Sequence, residues 1–182
     1  PHFFFNSMAS LQKVALEEKS TKTVVYTSRL AKIMRKSLES TYDEMVTIES
    51  EIDFLTQYLE VQKLRFPEKF NYEFNVDEHL EINELKLPGM LMQPFVENAI
   101  KHGVDTKTKS IIDIALEVTT KSLSYEVSNT MHKTVNGLKD NASGFGLDNL
   151  KKRLAILYPD AHSMETKVEK GYFISILKLQ LD

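Results

Sequence analysis

"QPFVENAIKHG", residues 93–103, decides the fold. On a 3.6-residue period Phe95, Val96, Ala99 and Ile100 fill one half of the wheel. Glu97, Asn98, Lys101 and His102 fill the other. The apolar half predicts a face packed on a core. The polar half joins an acid, an amide, a base and an imidazole. A solvated face usually carries simple Glu/Lys pairs, and Glu97–Lys101 can be one. That leaves the amide and the imidazole, whose helical spacing points to a ligand as well.

Around this helix the period falls to two. Phe70, Tyr72, Phe74 and Val76 alternate, as do Ile112, Ile114, Leu116 and Val118, and then Leu123, Tyr125 and Val127. Residues 163–169 and 171–181 read as a hairpin turning at Lys170-Gly171. Between the third strand and this hairpin lies a polar loop, about 129–143. "GFGLDNLKKRL" follows, opening with glycines and becoming a helix.

Ahead of the strands the chain reads as helical. Residues 3–18 place Phe4, Met8, Leu11 and Ala15 or Val14 on one face. Ser20 can cap a second helix, about 21–38, with the stripe Val25, Leu30, Ile33, Met34 and Leu38. "STYDEMVT" reads as a polar joint. A helix over about 48–65 then repeats Ile52, Leu55, Tyr58, Leu59 and Gln62 and stops at Pro67. The expected class is α+β. Residues 1–42 form a short two-helix hairpin, and 43–182 an α/β sandwich whose mixed sheet is covered on one face by helices.

Composition narrows the function. The 182 residues, 42% hydrophobic, suit one compact domain with an appendage, or two small domains. A net charge of -3 gives no footprint for a nucleic-acid backbone. With no cysteine, disulfides and thiol chemistry are excluded. No apolar run reaches the length of a membrane span, and no signal peptide is visible. The sequence opens at Pro1-His2 without a methionine, so it is read as a piece of a longer protein.

The chemistry-bearing residues converge on a nucleotide. Asn98 and Glu97 offer oxygen donors to Mg²⁺, with phosphates completing the shell. Lys101, one turn on, can neutralise a phosphate. Gly144 and Gly146 open a helix whose free N–H groups suit an anion. Gly-x-Gly by itself is a tight turn. In this order around a sheet, the signals suggest a nucleotide site.

Four stretches resemble one family. "LPGMLMQPFVENAIKHG" looks like the N box of LytS/YehU-type sensor histidine kinases, in the GHKL ATPase superfamily, and "GFGLDNLKKRLAILYP" resembles their G box and following helix. "PHFFFN" resembles the segment bearing their phosphoacceptor histidine, and "IESEIDFLTQYLEVQKLRF" the helix entering their ATP domain. The resemblance implies a Bergerat ATP-binding sandwich behind a dimerisation and phosphotransfer hairpin. It implies that His2 is phosphorylated, that Asn98 binds Mg²⁺, and that Glu97 is a polar partner near the γ-phosphate. Lys101 and His102 would lie toward the phosphates. Gly144, Gly146, Leu147 and Asn149 would form the loop and helix start under an ATP lid at roughly 130–143. The implied reaction is autophosphorylation of His2 by ATP, then transfer to a response-regulator aspartate. The implied partners are a response regulator of LytTR type and a second copy joined through the hairpin. The implied setting is the cytoplasmic side of a bacterial inner membrane, with the anchor in segments outside this sequence.

Three departures stand out. Asn129 takes the place of the family's adenine-binding aspartate, and the Gly-x-Gly after it is absent. Asn129 still offers a carbonyl oxygen to adenine. Phe3 follows the acceptor where many histidine kinases carry an acid, so Glu97 becomes the proton acceptor to consider once the domains close. The helix turns that would precede His2 are not in the sequence. Some roles stay open on the residues alone. His2 beside three phenylalanines also suits core packing, while Asn149 and Arg153 suit a helix surface as well as a ligand. Two other functions compete: a degenerate GHKL scaffold that signals by binding a partner, and another GHKL ATPase such as a chaperone or topoisomerase.

Overall fold

The computed structural model describes residues 25–34, 45–77, 84–105, 108–131 and 145–181. The expected helix over 3–18, the loop over 132–143 and the side chains of His2, Leu38 and Gly144 lie outside them. Four helices are described: α1 (residues 25–34), α2 (Ile48–Arg65), α3 (Gln93–Gly103) and α4 (Phe145–Leu157). The strands are β1 (Met45–Thr47), β2 (Phe70–Val76), β3 (Lys86–Pro88), β4 (Ser110–Val118), β5 (Ser122–Thr130), β6 (His162–Glu169) and β7 (Tyr172–Gln180).

Five strands form a mixed sheet in the order β2-β4-β5-β7-β6. The β2–β4 pair is parallel, with Phe70 beside Ser110, and the others are antiparallel. A parallel pair needs a long crossover, and α3 lies within it. β6 and β7 turn at Lys170 (φ 50°) and Gly171 (φ 86°). Two residues at positive φ are what a tight hairpin with right-twisted strands requires.

Alternation decides which sheet face is covered. Ile112, Ile114, Leu116 and Val118 of β4 are buried, as are Leu123, Tyr125 and Val127 of β5 and Leu177 and Leu179 of β7. Their neighbours Ile111, Ala115 and Glu117 are exposed. The helices cover the first set. Phe95 of α3 meets Tyr125 of β5 edge-on, with ring centroids 5.4 Å apart. Leu150 and Leu154 of α4 and Phe54, Leu55, Tyr58 and Leu59 of α2 fill the same core. The α+β sandwich covered on one face is the expected one.

Helix α1 joins this core through Tyr26, Leu30 and Ile33. Val25, placed on the stripe from sequence, is instead 39% exposed, and Tyr26 takes its place. Tyr26, Leu30 and Ile33 keep a four-then-three spacing that Val25 does not. Arg29 also pairs with Glu60 of α2 at 3.0 Å, and the Tyr72 hydroxyl donates to the other Glu60 oxygen at 2.7 Å. The joint read in "STYDEMVT" is corrected at its end. Met45–Thr47 is strand β1, paired antiparallel with β3. Strands of three residues carry too little alternation to be read from sequence.

Candidate nucleotide site

α3 begins without a side-chain cap of its own. Met92 stands at its N-cap in the right-handed helical region, and Pro lies in the first turn. The first N–H groups of a helix need acceptors. Glu51 of α2 instead serves the N-cap and the turn before it: the Met90 N–H donates to its Oε1 at 2.6 Å and the Met92 N–H to its Oε2 at 3.3 Å. Glu51 is 2% exposed. Burial pushes its carboxyl above the usual carboxylate range, against the pull of those N–H groups and the Arg153 charge. Arg153 of α4 grips the same turn from its other side, donating to the Gly89 carbonyl at 2.8 Å.

Along α3 the polar side chains divide. Glu97 is half-buried toward α2 and accepts from Gln93 Nε2 at 2.8 Å. Burial raises its pKa, only partly offset by Gln93. Tyr58 of α2 is pushed well above the usual tyrosine range, first by its own burial and then by the Glu97 charge, which places that carboxylate near the phenol. Asn98 is half-buried, while Lys101 and His102 are exposed. The acid therefore faces α2, and the amide and the base open outward.

A raised carboxyl pKa gives a sign for stability. Folded Glu51 and Glu97 hold protons more tightly than in the unfolded chain. The stability they contribute is complete below the unfolded pKa, near 4.5, and is lost as pH rises through their folded values. Melting should therefore give Glu97→Gln a smaller loss of stability than the parent as pH rises from about 4.5 to 7. Parallel curves for the two proteins would show that Glu97 is not desolvated.

The C-terminal end of α3 meets β5. Asn129 is 1% exposed, and its Nδ2 donates to the Thr130 carbonyl at 3.1 Å. A Cβ built on Gly103 would lie 2.7 Å from Asn129 Nδ2 and 2.8 Å from Asn129 Cβ. Only glycine lets the helix end settle on that side chain. Gly103→Ala should destabilise the fold by about 1–3 kcal/mol in denaturant, although alanine is the better helix former. Unchanged stability would mean that the helix end and Asn129 are farther apart.

The helix after the loop is α4. Gly146 and Asn149 are exposed in its first turns, and Leu147 is half-buried. A Cβ on Gly146 would meet nothing within 4 Å among the described residues. Glu97, Asn98, Lys101 and His102 thus lie along α3, whose last residue, Gly103, packs on Asn129 of β5. Gly146, Leu147 and Asn149 stand at the start of α4, which packs against α3. His2 and Gly144 lie outside the described residues. Among the described residues no three His, Cys, Asp or Glu side chains converge as a metal cluster. The oxygen donors of Asn98 and Glu97 are of the hard type that Mg²⁺ takes, with the rest of its shell drawn from a ligand and water.

Glu51, Gln93 and Tyr58 escaped assignment from sequence. Glu51 left a signal, because it sits three residues after Ile48 and four before Leu55, on the buried stripe of α2.

The family model described as histidine kinase matches residues 1–70. BtsS, a sensor histidine kinase of Escherichia coli (strain K12), is 29% identical over 97% of this chain. The chain is similar to the sensor histidine kinases. HptS, a sensor protein kinase of Staphylococcus aureus (strain USA300), is 33% identical over 65% of the chain. The match takes in 30% of BtsS and 22% of HptS, so this chain spans under a third of the curated relatives it matches. The solved histidine kinase ThkA, crystallised with the response regulator TrrA, shares the fold. That likeness has a TM-score of 0.52 at 14% identity, over the whole of this chain and 59% of ThkA. The histidine kinase catalytic fold implies nucleotide binding. No described helix of the chain is long and apolar enough to cross a membrane.

Proposed function

We propose that the chain is the catalytic core of a two-component sensor kinase, which phosphorylates His2 from ATP and passes the group to a response-regulator aspartate. The observation that carries this reading is α3, whose outward polar face runs from Asn98 to an end seated on buried Asn129. Residues 1–42 would be the phosphotransfer hairpin and 43–182 the ATP-binding domain.

Asn98 would hold Mg²⁺, which when bound neutralises phosphate charge and orients the triphosphate. Lys101 and His102 would face the phosphates, with Gly144, Gly146, Leu147 and Asn149 closing on them from the start of α4. Asn129 would read the adenine edge. Its Nδ2 serves Thr130, so its carbonyl oxygen is the atom suited to the adenine amino group. An imidazole nitrogen of His2 attacks the γ-phosphorus as the bond to the bridging oxygen breaks, and ADP leaves. Glu97 would accept the imidazole proton, a role that suits a carboxylate made more basic by burial. The regulator's carboxylate then takes the phosphoryl group, and a proton returned by Glu97 or solvent restores neutral imidazole.

The ThkA–TrrA complex supports a response regulator as the acceptor, and the LytS/YehU resemblance supports a LytTR type. The working form would be a homodimer through the hairpin, on the cytoplasmic side of a membrane and anchored by segments outside this chain. Incubation with γ-labelled ATP and Mg²⁺, then mapping of acid-labile phosphate, tests the reading. Label at His2 supports it, and a chain that takes no label overturns it.

A further inference from the structure

We propose that Glu51 is a positioning residue, a cap that α2 lends to α3 and that, with Arg153, clamps residues 89–92 so that Asn98 is held for catalysis. The inference rests on the kinase reading for its function but not for its geometry.

Three observations carry it. A buried acid stands on the apolar stripe of α2 with both oxygens committed to backbone N–H groups of one turn. That turn opens a helix with no side-chain cap of its own, and a carboxylate there is favoured by the exposed N–H groups and the helix dipole. Met90, which makes the 2.6 Å bond, has φ 59°, a left-handed conformation that a methionine adopts only when its surroundings impose it. Arg153 completes the grip on the carbonyl of Gly89. The anion thus holds the donors of the turn, the cation holds an acceptor, and α2, α3 and α4 are tied at one point.

Stability alone does not explain this acid. Its burial outweighs the bonds it receives, so its charged form is held at a cost. The groups acting on that charge are Arg153 of α4 and Tyr125 of β5. The Tyr125 phenol is pushed well above its usual range by burial and by the Glu51 charge, and its hydroxyl is buried without a partner. What the charge provides is position. α2 follows the segment that links it to α1, and α4 follows the loop after β5. A shift of either helix moves the turn and, with it, the polar face of α3.

The test uses the whole 182-residue chain as Glu51→Gln, Arg153→Met and the double variant. Amide exchange without nucleotide reads the clamp, and labelling of His2 reads its consequence. Glu51→Gln should speed exchange at Met90 and Met92 about tenfold and lower kcat about tenfold, the size of one lost charge-assisted bond. KM for ATP should change less than about threefold, and the melting temperature at neutral pH should not fall. The double variant should be no worse than the weaker single one, because both partners act on one turn. Unchanged exchange in both single variants overturns the clamp. Faster exchange with unchanged kcat overturns positioning, as does a kcat loss matched by a fall in melting temperature. A parent that takes no label sinks the kinase reading instead, and exchange then decides the clamp alone. If Glu51→Gln does not fold, Arg153→Met, altered at a half-buried side chain, must show the same exchange and kcat pattern or the clamp falls.

Discussion

Asn98→Ala lowers phosphorylation on the order of 100-fold or more, and added Mg²⁺ restores little of it. Losing a residue that merely supports a metal ligand costs about 10–100-fold, so losing a proposed ligand should cost at least as much. The side chain is half-buried on the outward half of α3, so truncation leaves the core face of Phe95, Val96, Ala99 and Ile100 intact. The fold should therefore melt near the parent temperature while activity is gone. Excess Mg²⁺ restores little because transfer between phosphates and imidazole depends on where the charge is held, not only on whether an ion is bound. Near-normal labelling of Asn98→Ala would mean that the ion rests on other atoms and that the outward face of α3 has another use.

His2→Ala abolishes the acid-labile label and leaves ATP affinity unchanged. The chain has five histidines, so the claim is selective. His162 holds the Tyr158 carbonyl through Nδ1 at 2.7 Å, and His102 stands at the end of α3, on the proposed phosphate face. His2 matches the acceptor motif of the family. An acceptor needs an imidazole nitrogen free near neutral pH, and histidine alone offers that without a shifted pKa. The proposed ATP contacts lie on α3, β5 and α4, so binding should survive. Two measurements, bound nucleotide and mapped phosphate, separate the roles. Label that persists in the variant would move the acceptor to another residue.

The sheet and α2 were legible because their periods are long and unmixed. Phe70 to Val76 and Ile112 to Val118 alternate without a break, and the Ile48–Arg65 helix carries an acidic first turn and a basic last one. α3 was legible for the same reason on its apolar half. What sequence could not give was partnership across the fold. Glu51 and Met90 are 39 residues apart, and Arg153 and Gly89 are 64 apart. No local pattern announces bonds of that span. The division of α3 was also hidden. A wheel puts Glu97 and Asn98 on one polar half, about 100° apart, but only the packing of α2 shows that the acid lies toward a neighbour. Val25 and Tyr26 are adjacent in sequence yet about 100° apart on a helix wheel, and only the neighbour chooses between them.

The place of β7 has a consequence for synthesis. It lies between β5 and β6, yet it is the latest of the seven strands to leave the ribosome. Until it arrives, one side of β5 is an open edge, and Asn129 lacks its partner Phe173. The two antiparallel hairpins, β4–β5 and β6–β7, join neighbours in sequence and can form quickly, whereas β5–β7 must close over α4 and β6. A chain still being translated would hold Asn98 on its helix before Asn129, proposed to read the base, had its neighbouring strand. On the function proposed above, such a chain would turn over no nucleotide until β7 was in place.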